Sequence, residues 1–179
     1  MRKIVHKLYW AWDFDKEEAW LNHMASIGWC MIGYGFCRYE FEQCEPGEYS
    51  IRLQMLDNPH NHPESEKYLE FLESTGAEHV GSWWKWIYIR KKKADGEFEV
   101  FSDNESKIKH LSHIMAFLLL IGILNLYIGV QNIVMMVAMS SPGNAIGFAN
   151  LFLGVISTLG YIRLYRKRKK LKDDSMLFE

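Results

Sequence analysis

Apolar and polar positions are distributed in two different ways along this chain. From Leu111 to Ile162 no Asp, Glu, Lys or Arg occurs, and one turn signal, SSPGN at 140–144, divides the block. That is the pattern of two membrane helices, because a span needs roughly 20 apolar residues at 1.5 Å rise to cross about 30 Å of hydrocarbon. The predicted spans are 114–139 and 145–165, joined by an external turn at 140–144. A helical hairpin buried in a soluble core would carry a polar stripe, and these segments do not.

Residues 1–110 follow the shorter periods of strands and packed helices. KIVHKLYWAW at 3–12 is rich in aromatic and β-branched residues and reads as a strand. Asp15 and Glu18 have the spacing of a capping box, Trp20, Leu21, Met24 and Ile27 recur at helical spacing, and Gly28 supplies a left-handed stop. These signals predict a helix over 16–27. An aromatic-rich strand follows from Trp29 to about Phe41, then a turn at EPGE (45–48) and an alternating strand at 49–56. Pro63 suits a first helical position, Tyr68, Leu69, Phe71 and Leu72 make an apolar face, and Gly76 ends the helix. HVGSWWKWIYIRKK at 79–92 reads as a returning strand.

The two halves of this region are one pattern written twice. At a constant offset of 48 positions, Trp20 falls on Tyr68, Leu21 on Leu69, Met24 on Leu72, Gly28 on Gly76, Gly33 on Gly81, Phe36 on Trp84, Tyr39 on Ile87 and Phe41 on Ile89. The fold class expected is α+β: a ferredoxin-like βαββαβ sheet domain over 1–100, made of two βαβ repeats, followed by a two-helix transmembrane hairpin. Ser102 and Glu105 repeat the capping-box spacing and should start a juxtamembrane helix over 101–113.

Period two assigns the sheet faces. Tyr39, Phe41, Ile87 and Ile89 share a parity with Tyr49, Ile51, Leu53 and Met55, and should pack beneath the helices. The opposite parity carries Phe36, Arg38, Arg52, Gln54, Trp84, Trp86, Tyr88 and Arg90. An aromatic and arginine face not covered by its own helices is the candidate site for a ligand or partner, with Phe36, Arg38, Arg52, Trp84, Trp86, Tyr88 and Arg90 as its residues. It could instead be covered by another element or a second copy, since large aromatic patches seldom stay open to water. Single-stranded RNA is disfavoured: the region has no strong basic excess and no Gly-aromatic RNA-binding signature.

Charge adds an orientation. The net charge of −1 conceals a basic run, RLYRKRKKLK at 163–172, beside the apolar block. Lys107 and Lys109 precede the first span and Arg163, Arg166, Lys167, Arg168, Lys169, Lys170 and Lys172 follow the second, so both termini are expected in the cytoplasm of a two-span cell-membrane protein. The basic tail over 166–179, together with Arg163, should touch anionic headgroups at about 1 kcal/mol per cation. Asn125, Gln131, Asn132 and Asn150 are the polar residues inside the block and are expected to hydrogen-bond between helices. The lack of an ionisable group near the midplane disfavours a transporter or channel.

Candidate chemistry changes the picture little. The three cysteines, Cys30, Cys37 and Cys44, have no secretory signal ahead of them and read as reduced thiols, their seven-residue spacing placing neighbours on opposite faces of a strand. Asp13, Asp15, Glu17 and Glu18 read as charges at a helix start. His60 and His62 sit in a Pro- and Asn-rich loop, and His110 and His113 at the membrane entry; neither pair makes a metal site. No Walker-type loop, GxSxG or HExxH occurs. The expectation is a binding protein without enzymatic activity, cofactor or metal, whose partners are the bilayer, a protein or a second copy, with a small molecule as the alternative.

WDFDKEEAWLNHMASIGW (12–29), FCRYEFEQCEPGEYSIRLQML (36–56), EKYLEFLESTGAEHVGSWWKWIYIRKK (66–92) and FSDNESKI (101–108) together resemble the bacterial Domain of Unknown Function family 2812. The chain departs from the usual pattern at Ala77, where an aromatic is commoner, as Trp29 is in the first copy. The resemblance implies a small protein of Gram-positive bacteria with membrane spans after the domain, often encoded beside PadR-like transcriptional repressors. It implies no catalytic residues. The function expected is a membrane-tethered cytoplasmic domain that regulates a partner such as a PadR-like repressor; the alternative is a sensor of an apolar ligand or of membrane stress.

Overall fold

Six strands, not four, are found among the described residues of the N-terminal half. The computed structural model describes residues 1–101, 103–138 and 145–176. Its order is β1 (Arg2–His6), α1 (Phe14–Ser26), β2 (Trp29–Gly35), β3 (Arg38–Gln43), β4 (Tyr49–Met55), α2 (Pro63–Ser74), β5 (Ala77–Trp83) and β6 (Trp86–Lys92). Each long aromatic strand expected from the sequence is a hairpin bent at two residues, Phe36-Cys37 and Trp84-Lys85. Cys37 and Trp84 take positive φ, +56° and +54°. Neither is a residue type that favours this region, so no turn signal marks the bends.

The strands form two antiparallel sheets, β1-β3-β2 and β4-β6-β5. This replaces the single four-stranded sheet of the ferredoxin-like expectation. The repeat itself holds: strand, helix and hairpin recur in the same order, and in each copy the first strand pairs with the last. Even the irregularities recur, with register shifts between Met31 and Gly33 and between His79 and Gly81.

The core follows the period-two assignment. Tyr39, Phe41, Tyr49, Ile51, Leu53, Met55, Ile87 and Ile89 are all buried. Trp20 of α1 meets Tyr39 and Phe41 edge-on at 5.0 and 5.7 Å. In the second copy Leu72, Ala77, Ile87 and Ile89 pack with Leu56 and Phe98, while Phe71, expected on the apolar face of α2, is exposed.

Helix α1 also joins the copies. Asn22 donates to the Ile51 carbonyl at 2.8 Å and accepts from the Ile51 N–H at 2.9 Å, and Glu18 accepts from the Leu53 N–H at 2.9 Å. These bonds occupy the free edge of β4, which would otherwise invite another strand. Glu18 is therefore not a capping residue, and Asp13, at the N-cap of α1, makes no side-chain cap bond.

The cysteine reading is corrected in the same region. Cys30 and Cys44 form a disulfide with Cα atoms 5.9 Å apart, and Cys37 is the free thiol. The pairing runs across the β2–β3 hairpin and not along one strand: Cys30 lies opposite Glu42, and Cys44 stands two residues further on, just past the end of β3.

The chain divides into two units, Met1–Ser102 and Asp103–Glu179. The second holds α3 (Asn104–Ala138) and α4 (Ala145–Met176), both long and apolar enough to cross a membrane. The turn expected at 140–144 and the capping residue Ser102 lie outside the described residues; Asp103 accepts from the Ser106 N–H at 2.6 Å and so caps α3. Glycines set the approach of the two helices: a Cβ on Gly129 would stand 2.8 Å from Leu151, and one on Gly154 2.6 Å from Leu126. Asn125 and Asn132 donate to carbonyls of their own helix, those of Ile121 and Ile128.

Candidate functional site

Position 17 falls on the inward face of α1, one turn from Phe14 and from Leu21. That face carries a carboxylate: Glu17 is only 7% exposed. The hydroxyls of Tyr39, from the first copy, and Tyr88, from the second, both donate to its Oε1 at 2.6 Å. Burial holds the Glu17 carboxyl above the usual glutamate range, and the two hydroxyl donors offset this in part. No cation contributes to that balance, and no described ion pair reaches Glu17. Burial, then the nearby Glu17 charge, push Tyr39 and Tyr88 far above the ordinary tyrosine range, so both remain protonated donors.

Aromatic rings close around this group. Tyr34 stacks on Tyr88 at 4.2 Å and meets Tyr39 edge-on at 5.0 Å, and Phe14 lies 5.8 Å from Trp86. Glu17, Tyr34, Trp86 and Tyr88 line a cavity of ≈ 70 Å³. Its lining extends to Leu8, Trp10, Phe36 and Trp83, all substantially exposed, and Phe36 and Trp83 touch at 5.2 Å. The cavity lies between the two copies because the tight passage of β2 against β5 brings Tyr34 beside Gly81, where an added Cβ would sit 2.8 Å from that of Tyr34.

The residues expected on an open sheet face are thus divided. Phe36, Trp86 and Tyr88 converge on the cavity, but Trp86 and Tyr88 are buried, covered by α1 and β2 of the other copy. Trp84 is exposed at its hairpin tip. Arg90 is a clamp between the copies: it donates to the Met31 carbonyl at 3.0 Å and pairs with Glu78 at 2.7 Å and Glu42 at 3.6 Å. Arg38 pairs with Glu40, and Arg52 with Glu18 at 3.5 Å; neither lines the cavity. The six cations expected at the membrane surface, Arg163, Arg166, Lys167, Arg168, Lys169 and Lys170, lie on α4, which stays helical past the expected end of the span. Arg168 donates to the Ser112 hydroxyl at 3.2 Å.

Sequence reasoning missed Glu17 as a site residue and took Tyr39 for ordinary core. The repeat held the signal. At the offset of 48, Glu17 corresponds to Ser65, Tyr34 to Ser82 and Tyr39 to Ile87. The second copy builds the same order of elements with two serines and an isoleucine at these positions, so that order needs neither the carboxylate nor these two tyrosines.

Among the described residues no group of three or more His, Cys, Asp or Glu is placed to hold a metal. His62 instead accepts from the Glu64 N–H at the start of α2, and the His60 ring contacts the Trp84 carbonyl at 2.9 Å.

A family model described as "Protein of unknown function (DUF2812)" matches residues 13–123, well over half of the chain. The match contains Glu17 and the three tyrosines and extends into α3. No curated protein and no solved structure matches.

Proposed function

The chain belongs to the DUF2812 family of proteins of unknown function, and we propose that it is a membrane-anchored sensor that takes a small ligand between the two copies of its N-terminal unit. The observation that carries this reading is the cavity lined by aromatics, with a buried carboxylate that only one of the two repeats possesses. Such a pocket, mostly apolar with a few convergent polar groups, is the usual form of a small-molecule site. The positive charge around the apolar helices favours a cytoplasmic N-terminal unit.

Trp86 and Trp83 both line the cavity and give it a fluorescent reporter. The full chain in lipid nanodiscs, titrated with small aromatic alcohols, amines and acids, should show a saturable change in tryptophan emission with at least one class. If none of the three classes gave a saturable change, the sensor reading would fail.

A second reading rests on the hairpin tips, where Phe36, Trp83 and Trp84 are exposed by 66%, 45% and 42%. Aromatics of this kind anchor protein partners, and a PadR-like repressor is the partner that the family resemblance suggests. Loss of copurification with such a repressor in Trp84→Ala would favour this reading over the first.

A further inference from the structure

We propose that the ligand of the junction cavity is an organic cation, an ammonium group attached to an apolar body, with Glu17 as its counter-charge. This rests on the sensor reading above and names its ligand class. Three independent features lead to it.

The first is charge. Glu17 is more than nine-tenths buried, lines the cavity, and has no described ion pair. A carboxylate removed from water is costly unless it is paired. Both tyrosine bonds go to Oε1, so Oε2 keeps its capacity to accept from, or lie against, a cation.

The second is the nature of the walls. Tyr34, Trp86 and Tyr88 line the same cavity as the carboxylate. Aromatic faces attract cations through their quadrupole, and cages of them hold alkylammonium groups. The same chemistry already operates beside the site, where Lys7 Nζ lies 4.5 Å from the Trp20 ring centroid and 4.8 Å from that of Tyr9.

The third is size. A space of ≈ 70 Å³ accepts the head of such a molecule and not the whole of a drug-sized one. Exposed Trp10, Phe36 and Trp83 continue the apolar lining outward, where the remaining body would rest. An anion would meet the Glu17 carboxylate directly, and a neutral molecule would draw nothing from its charge.

The test uses the full chain in nanodiscs and four probes that share one ring: benzyltrimethylammonium, benzylammonium, benzyl alcohol and benzoate, followed by calorimetry and tryptophan emission. At least one cation should bind about tenfold or more tighter than benzyl alcohol, with benzoate weakest. Glu17→Gln should abolish that preference, bringing cation and alcohol to similar affinity, and a cooperative thermal unfolding transition of the variant reports that the fold survives. Should Glu17→Gln not fold, Trp83→Leu, at a half-exposed position, should weaken cation binding several-fold more than alcohol binding. Equal affinity for cation and alcohol, or a preference that persists in Glu17→Gln, would overturn the cation assignment while sparing the sensor reading. Absence of binding by every probe would sink both.

Discussion

Glu17 shows how one side chain can be set against the stability of its own fold. Its folded carboxyl holds a proton more tightly than the unfolded one, because desolvation outweighs the two tyrosine bonds. The folded state therefore binds more protons in the window above the unfolded value of 4.5 and below the raised folded value. Stability falls as pH rises through that window, at about 1.4 kcal/mol for each unit by which the two pKa values differ. The facing titratable groups, Tyr34, Tyr39 and Tyr88, are all raised and stay protonated, so they do not reverse the slope. Glu17→Gln removes the buried charge and keeps an acceptor for the hydroxyls. Chemical denaturation of the variant should show a flatter pH dependence between pH 4 and 8, and a stability at pH 7.5 no lower than that of the wild type. A loss at pH 7.5 would mean that the ionised carboxylate stabilises the fold.

At the scale of elements, two equivalent glycines in equivalent strands have different roles. Gly81 of β5 lies where β2 passes, and an added Cβ would meet the Tyr34 Cβ at 2.8 Å and its backbone nitrogen at 2.9 Å. Gly33, its counterpart in β2, would place a Cβ 3.6 Å from the Glu40 side chain, which is ordinary contact. Gly81→Ala should therefore cost about 1–3 kcal/mol through overpacking against backbone, whereas Gly33→Ala should stay within about 0.5 kcal/mol. Denaturation midpoints of the two variants check this directly. A similar cost for both would mean that the close passage of β2 and β5 is not required. The hairpin bends belong to this scale too. No Asn-Gly or Asp-Gly marks them, and the flanking residues Gly35, Arg38, Trp83 and Trp86 are all compatible with a strand. Pattern reading therefore ran each hairpin together as one strand.

For the whole molecule, two features point to opposite compartments. The cations beside α3 and α4 argue for a cytoplasmic N-terminal unit, while the Cys30–Cys44 disulfide is a feature of oxidising compartments. Cys37, half-buried and unpaired, offers a probe. In a Cys30→Ser/Cys44→Ser variant, a membrane-impermeant maleimide should leave Cys37 unlabelled in intact cells and label it after permeabilisation. Labelling in intact cells would invert the orientation. Much of the architecture was legible beforehand because it depends on local periodicity: both helices with their glycine stops at Gly28 and Gly76, the buried parity of the strands, the duplication, and the two apolar helices. The strand count and the division into two sheets were not legible, because they depend on two bends whose residues carry no turn preference. Nor was the site, since a helix-start glutamate looks the same in sequence whether it faces water or the interior.

Periodicity and composition already state which residues repeat and which are apolar, and hence that two similar α/β copies precede two long apolar helices. That the aromatic face of the second copy is closed by α1 and β2 of the first follows only from the tertiary contacts. Periodicity reports the face on which a side chain lies, but what covers that face depends on contacts between residues far apart in the chain. Glu17 and Tyr88, 71 residues apart, are joined by one hydrogen bond at the centre of the candidate site.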